Sequence, residues 1–161
     1  MLHKWAIHTP RLGDFAELTD VWESSVRATH DFLPDSYIQL LRPLVKDQYL
    51  DSVMLACCKD LARKKICGFV GVAANKVEML FIHPDYRGLG IGKSLLSFAI
   101  NELNAQELDV NEQNPQAIGF YIKQGFEVVG RCEKDGLGQP YPLLHLRYKR
   151  PLRAFGKCSR A

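Results

Sequence analysis

The sequence predicts an α/β domain: a mixed, mostly antiparallel central sheet of about seven strands flanked by about four helices. Three observations carry that expectation. Apolar residues recur with strand and helix periods in alternation along residues 3–148. Three strand-like runs between Val53 and Ile82 are joined by short polar turns, the pattern of an antiparallel meander. A glycine-rich turn, His83 to Ser94, then joins the last of these runs to a helical one, which suits a single parallel crossover.

Residues 3–9 read as a first strand, with Trp5 and Ile7 on one face and Thr9-Pro10 ending it. From Arg11 to Thr29 the residues Phe15, Leu18, Trp22 and Val26 recur at intervals of three to four, a helical stripe. A second helix is expected from Pro34 to about Tyr49, with Tyr37, Leu40, Leu41, Leu44 and Val45 apolar. Pro34 fits its first turn, and Pro43 should kink or split it. Strands are expected at 53–58, 65–73 and 77–82, with turns at 59–64 and at Asn75-Lys76. After the glycine turn a helix runs to about Leu103, burying Leu95, Leu96 and Ala99, and Leu108-Asp109-Val110 is a short strand. Asn114 and Pro115 suit the N-cap and first position of a helix that Gly125 stops. Phe126–Arg131 and Tyr141–Tyr148 complete the strands, with a turn over 134–139 between them. The domain thus spans 1–148, and 149–161 is a basic tail without a pattern, expected to be mobile.

Composition narrows the function. At 161 residues the chain holds one domain with a real core. A net charge of +3 is too small to argue for a nucleic-acid partner. The longest apolar run, Ile66 to Ala74, is broken by Gly68 and Gly71 and reads as a buried strand, so no membrane association is expected. The N-terminus lacks the apolar core of a signal peptide. The cysteines at 57, 58, 67, 132 and 158 form no C-x-x-C pair, which points to reduced thiols in a cytoplasmic setting and to no metal.

The glycine turn carries the first chemistry. Unpaired N–H groups and the helix dipole favour an anion at a helix start, and glycines let the backbone approach it. Three glycine codes compete. A P-loop ending at Gly92-Lys93-Ser94 needs glycine where Arg87 stands, so a nucleotide-triphosphate site is disfavoured. The dinucleotide code started at Gly88 or Gly90 needs glycine at Lys93 or Leu95 and also fails. What fits is R-x-x-G-x-G, from Arg87 through Gly90 to Gly92.

A second block follows: Asn114, Ala117, Tyr121, Gly125 and Phe126, spaced N-x-x-A-x-x-x-Y-x-x-x-G-F after the strand 108–110. Together the two blocks resemble the GNAT superfamily of acyl-CoA-dependent N-acetyltransferases, in that family's order and separation. The stretches 28–33 and 140–144 look like those of a bacterial subgroup, the YjaB-like acetyltransferases. The resemblance implies a GNAT fold in which strands 77–82 and 108–110 splay apart around acetyl-CoA, the acyl donor. It implies that the pyrophosphate lies on the turn Arg87, Gly88, Leu89, Gly90, Ile91, Gly92, Lys93, Ser94. The pantetheine arm would pair with the backbone of Leu80, Phe81 and Ile82, and Asn114 would hold it from the second block.

Acyl transfer from a thioester to an amine needs a free amine, a polarised carbonyl and a stabilised thiolate. By the resemblance, a backbone N–H near Phe81 or Ile82 polarises the carbonyl, and Tyr121 stands where family members place a general acid. A helix tyrosine beside Phe120 is also what a packed core needs. For the base, Asp109 aligns with an acidic residue that some members use. Glu78 alternates onto the face opposite Val77, Met79 and Phe81 and so could point at the acceptor. A water relay without a dedicated base remains equally open. His30, after the first helix, is a candidate for contact with the acceptor. The expected activity is transfer of acetyl from acetyl-CoA directly to a primary amine, small molecule or protein. A non-catalytic acyl-CoA sensor of the same fold is the alternative. Monomer and homodimer are both open.

Overall fold

The computed structural model describes residues 4–149, so the tail beyond Lys149 and Cys158 within it lie outside the described residues. The strands are β1 (Trp5–His8), β2 (Met54–Asp60), β3 (Lys65–Ala73), β4 (Lys76–Ile82), β5 (Glu107–Asn111), β6 (Phe126–Cys132) and β7 (Leu143–Tyr148). The helices are α1 (Phe15–Thr29), α2 (Asp35–Leu44), α3 (Ile91–Glu102) and α4 (Pro115–Lys123). The seven strands form one sheet in the order β1-β2-β3-β4-β5-β7-β6. Only β4 and β5 pair parallel, across the α3 crossover, as the glycine turn suggested.

Both faces of the sheet are covered, and β3 shows why its sequence is almost continuously apolar. On one face Cys67, Val70 and Val72 pack with Leu95, Leu96 and Ala99 of α3 and Tyr121 of α4. On the other, Ile66 and Phe69 pack with Leu18, Trp22 and Val26 of α1 and Ile38 of α2. The stripe read for the first helix is therefore the one that is buried; a fully buried leucine such as Leu18 contributes about 2 kcal/mol.

Three expectations need correction. Lys59 and Asp60 extend β2 instead of opening the turn. The Asp60 carboxylate accepts from the N–H groups of Ala62 and Arg63 and from the Tyr86 hydroxyl (3.0, 3.2 and 3.0 Å), so it holds the turn from the strand end. Lys76 likewise belongs to β4, not to the preceding turn. Third, the side chains of β4 do not alternate uniformly. Gly71 opposes Met79 while Val72 opposes Val77, so Glu78 is an extra residue, a β-bulge. Val77 consequently joins the core under α3, whereas Met79 and Phe81 join the core under α1. Pro43 acts as expected. Helix α2 ends at Leu44, and Val45–Tyr49 continue as a wider π turn, since proline lacks the N–H the regular ladder needs.

Candidate active site

The crossover creates the site. β4 and β5 share only the pairs Lys76–Glu107 and Val77–Leu108, after which they diverge. The backbone of Leu80, Phe81 and Ile82 is therefore left without a strand on its β5 side. A cavity of about 450 Å³ fills the divergence. Its wall includes Glu78, Leu80, Phe81, Ile82, Arg87, Gly88, Gly90, Ile91, Gly92, Lys93, Asp109, Asn114 and Tyr121. Two of the expected cofactor residues, Leu89 and Ser94, do not line it; both are exposed. Leu89 is one step of the turn between the two αL glycines. Ser94 begins the second turn of α3, where its N–H already donates to the Gly90 carbonyl at 3.0 Å.

One end of the cavity is the glycine turn, whose geometry suits an anion. Gly88 and Gly90 have φ of +73° and +84°, and Gly90 is the N-cap of α3. The first-turn residues Ile91, Gly92 and Lys93, whose N–H groups have no intrahelical acceptor, line the cavity. Arg87 adds an exposed charge, its guanidinium 3.5 Å from the Gln116 side-chain oxygen. A cradle of free amides beside an unpaired strand edge fits a ligand that is phosphate at one end and amide-bearing along its length. Asn114 is buried, with its Oδ1 accepting from the Ala117 N–H at 3.2 Å, so its carboxamide N–H₂ is the part left for a ligand.

Tyr121 stands on the buried face of α4, edge-on to Phe120 and Phe126 at ring distances of 5.3 and 6.0 Å. No described residue hydrogen-bonds its hydroxyl, and burial pushes the phenol well above its ordinary value. It stays protonated.

Asp109 meets partners that were not anticipated. Lys76 reaches one carboxylate oxygen at 2.6 Å and His145 Nδ1 the other at 2.5 Å. Burial alone pushes the carboxyl up, but Lys76 and His145 outweigh it and hold it below the usual range. His145 on β7 stands directly opposite Asp109 in the sheet register. Its strand was legible in the sequence, but the partner across the ladder was not. Glu78, at the bulge, is exposed and forms no ion pair among the described residues.

His30 also lines the cavity, its Nδ1 2.7 Å from the Thr29 hydroxyl. Burial first, and the Arg87 charge second, push it down to about 4 from 6.5. Between those values the unfolded chain binds a proton that the folded chain refuses, so stability falls as pH drops through this window. A His30→Gln variant should therefore lose less stability than the native chain between pH 6.5 and 4, as read by urea unfolding at each pH. Parallel pH curves would show that His30 is not held neutral.

Residues 51–128 match the model of the acetyltransferase (GNAT) domain family. The chain is 44% identical over 142 residues to the peptidyl-lysine N-acetyltransferase YjaB of Salmonella typhimurium, covering 88% of this chain and 97% of that one. This chain belongs to the GNAT acetyltransferase family. The solution structure of apo-form YjaB from Escherichia coli superposes with a TM-score of 0.80 at 41% identity, over 90% of this chain and 97% of that one. PaiA N-acetyltransferase of Thermoplasma acidophilum, solved in complex with coenzyme A, shares the fold, with a TM-score of 0.69 at 23% identity, over 90% of this chain and 99% of that one. Its family and its curated relatives make the chain an acetyl-CoA-dependent N-acetyltransferase, and the sensor reading is not favoured. Among the described residues no helix is long and apolar enough to cross a membrane, and no group of His, Cys, Asp and Glu is placed to hold a metal.

Proposed function

We propose that the acceptor is the ε-amine of a lysine in a protein, acetylated directly from acetyl-CoA in a ternary complex. The observation that carries this is the 44% identity, over nearly its whole length, to a peptidyl-lysine N-acetyltransferase. The surroundings of the cavity support it. His30 contacts Phe32 at 5.3 Å, Phe32 contacts Tyr141 at 6.0 Å and Tyr141 contacts Tyr37 at 5.3 Å. Tyr37 donates to Asp135 at 2.6 Å, which ties the α1–α2 corner to the β6–β7 turn. Such a ring-lined border suits the methylene stem of a lysine, whose amine is reached only at the end.

In this reading the amides of Gly88 to Lys93 and the charge of Arg87 hold the pyrophosphate. The free backbone of Leu80 to Ile82 holds the pantetheine arm as an added strand, with Asn114 on its other side. Acetyl-CoA supplies the thioester carbonyl that the amine attacks. The N–H of Phe81 or Ile82 polarises that carbonyl, and Tyr121 donates toward the sulfur. Both oxygens of Asp109 are engaged, one by the Lys76 ammonium and one by the His145 ring, which makes it a poor acceptor for an ammonium proton. We assign that proton to Glu78, directly or through a water, because the bulge leaves its carboxylate unpaired at the cavity wall. The described cysteines are free, which supports a reducing, cytoplasmic setting.

The test is release of CoA thiol on adding lysine-containing peptides, polyamines or aminoglycosides, with products mapped by mass spectrometry. Acetyl groups on lysine ε-amines are expected. Turnover confined to small amines would overturn the acceptor reading, and no turnover with any amine would return the sensor.

A further inference from the structure

A second cluster lies on the sheet face opposite α3 and α4, and acetyl transfer as assigned above does not use it. His145 stands between Asp109 of β5 and Gly130 of β6 in the register. A Cβ at Gly130 would lie 3.2 Å from the His145 ring, so glycine makes room for the imidazole over β6. On one side His145 Nδ1 meets the Asp109 carboxylate at 2.5 Å; on the other, Nε2 meets Cys132 Sγ at 3.2 Å. The carboxylate accepts, so Nδ1 carries the ring proton and the Nε2 lone pair faces the thiol. Thiol, imidazole and carboxylate are in the order of a nucleophile, its base and the group that orients the base. Cys132 is solvent-exposed, whereas Cys57, Cys58 and Cys67 are buried, and burial pushes their thiols up. Of the described cysteines, only Cys132 combines access with a base.

We propose that Cys132 is a covalent modification site, a thiol activated by the His145–Asp109 pair that takes up small-molecule disulfides as a mixed disulfide. His145 Nε2 removes the thiol proton, and Sγ attacks one sulfur of the incoming disulfide. The new S–S bond forms as the old one breaks, and the departing thiolate takes the proton from His145. Cys132 is oxidised and the leaving sulfur is reduced, so no further oxidant is needed. This chemistry needs only a base and an exposed sulfur, which is what the cluster offers. Modification removes the thiol partner of His145 and thereby alters the neighbour of Asp109, a residue of the cavity wall. The inference does not depend on which amine is acetylated.

The full chain, reduced and then exposed to oxidised glutathione at neutral pH, is quenched in acid and mapped by peptide mass spectrometry. Cys132 should gain glutathione about tenfold faster in the folded chain than in the urea-unfolded chain, where its intrinsic reactivity is the reference. His145→Gln should bring the folded rate down to that reference while circular dichroism still reports the folded chain. A folded Cys132 that reacts no faster than the unfolded one overturns the proposal, as does a rate indifferent to His145→Gln. If that variant does not fold, the folded-to-unfolded ratio of the native chain decides alone.

Discussion

Tyr121→Phe should lower kcat by roughly a hundredfold, the usual range for loss of one general acid, with the KM for acetyl-CoA nearly unchanged. The ring stays in place, because its contacts with Phe120 and Phe126 involve the aromatic faces and edges and not the hydroxyl. What disappears is one O–H, directed into a cavity where no described residue competes for it. Burial raises the phenol, which at first sight makes it a weaker acid. The same dry surroundings raise the proton affinity of a leaving thiolate, so donor and acceptor shift together and the transfer stays matched. Steady-state kinetics with a lysine peptide provide the check. An unchanged kcat would remove Tyr121 from the chemistry. A raised KM for acetyl-CoA with intact kcat would make it a binding residue instead.

The backbone turns that border the cavity were legible in the sequence because local conformation dictates them. An αL cap at Gly90, an Asn114-Pro115 helix start and the Gly125 stop are each dictated by local conformation, and local conformation leaves a mark within a few residues. The meander and the single parallel crossover were legible too, since short polar turns and a glycine crossover leave few topologies, whereas the insertion of β7 between β5 and β6 was not. What escaped was set across the sheet. The bulge at Glu78 depends on how β3 meets β4, and the alternation rule assumes that no such slip occurs. The Lys76–Asp109–His145 row joins three strands whose register no single sequence prints. The base was thus ambiguous for a physical reason. Whether a carboxylate is free to take a proton depends on its partners, and those partners came from elsewhere in the chain.

Gly90→Val should reduce acetyl-CoA affinity by at least about tenfold while the chain stays folded. Open space surrounds this position, and a Cβ there meets nothing within 4 Å, so the damage is not a clash. It is conformational. At φ of +84° a β-branched residue is strained by about 1–2 kcal/mol or more, and the cap relieves the strain by leaving the left-handed region. Most of the core holding α3 lies further along the helix, at Leu95, Leu96 and Ala99, so the helix stays docked even where the change at the cap disturbs the buried Ile91 beside it. The aim of the first-turn N–H groups does shift, because the cap sets where they converge. Gly119 supplies the control: it is also free of neighbours within 4 Å but sits inside α4 with no positive φ. Gly119→Ala should leave acetyl-CoA binding intact and stabilise the chain by up to about 1 kcal/mol, as expected for glycine in a helix interior. Isothermal titration with acetyl-CoA, alongside thermal unfolding, separates the two. Equal binding by Gly90→Val and the native chain would mean that the left-handed cap is not what holds the pyrophosphate. Side chains such as Arg87 would then carry the anion.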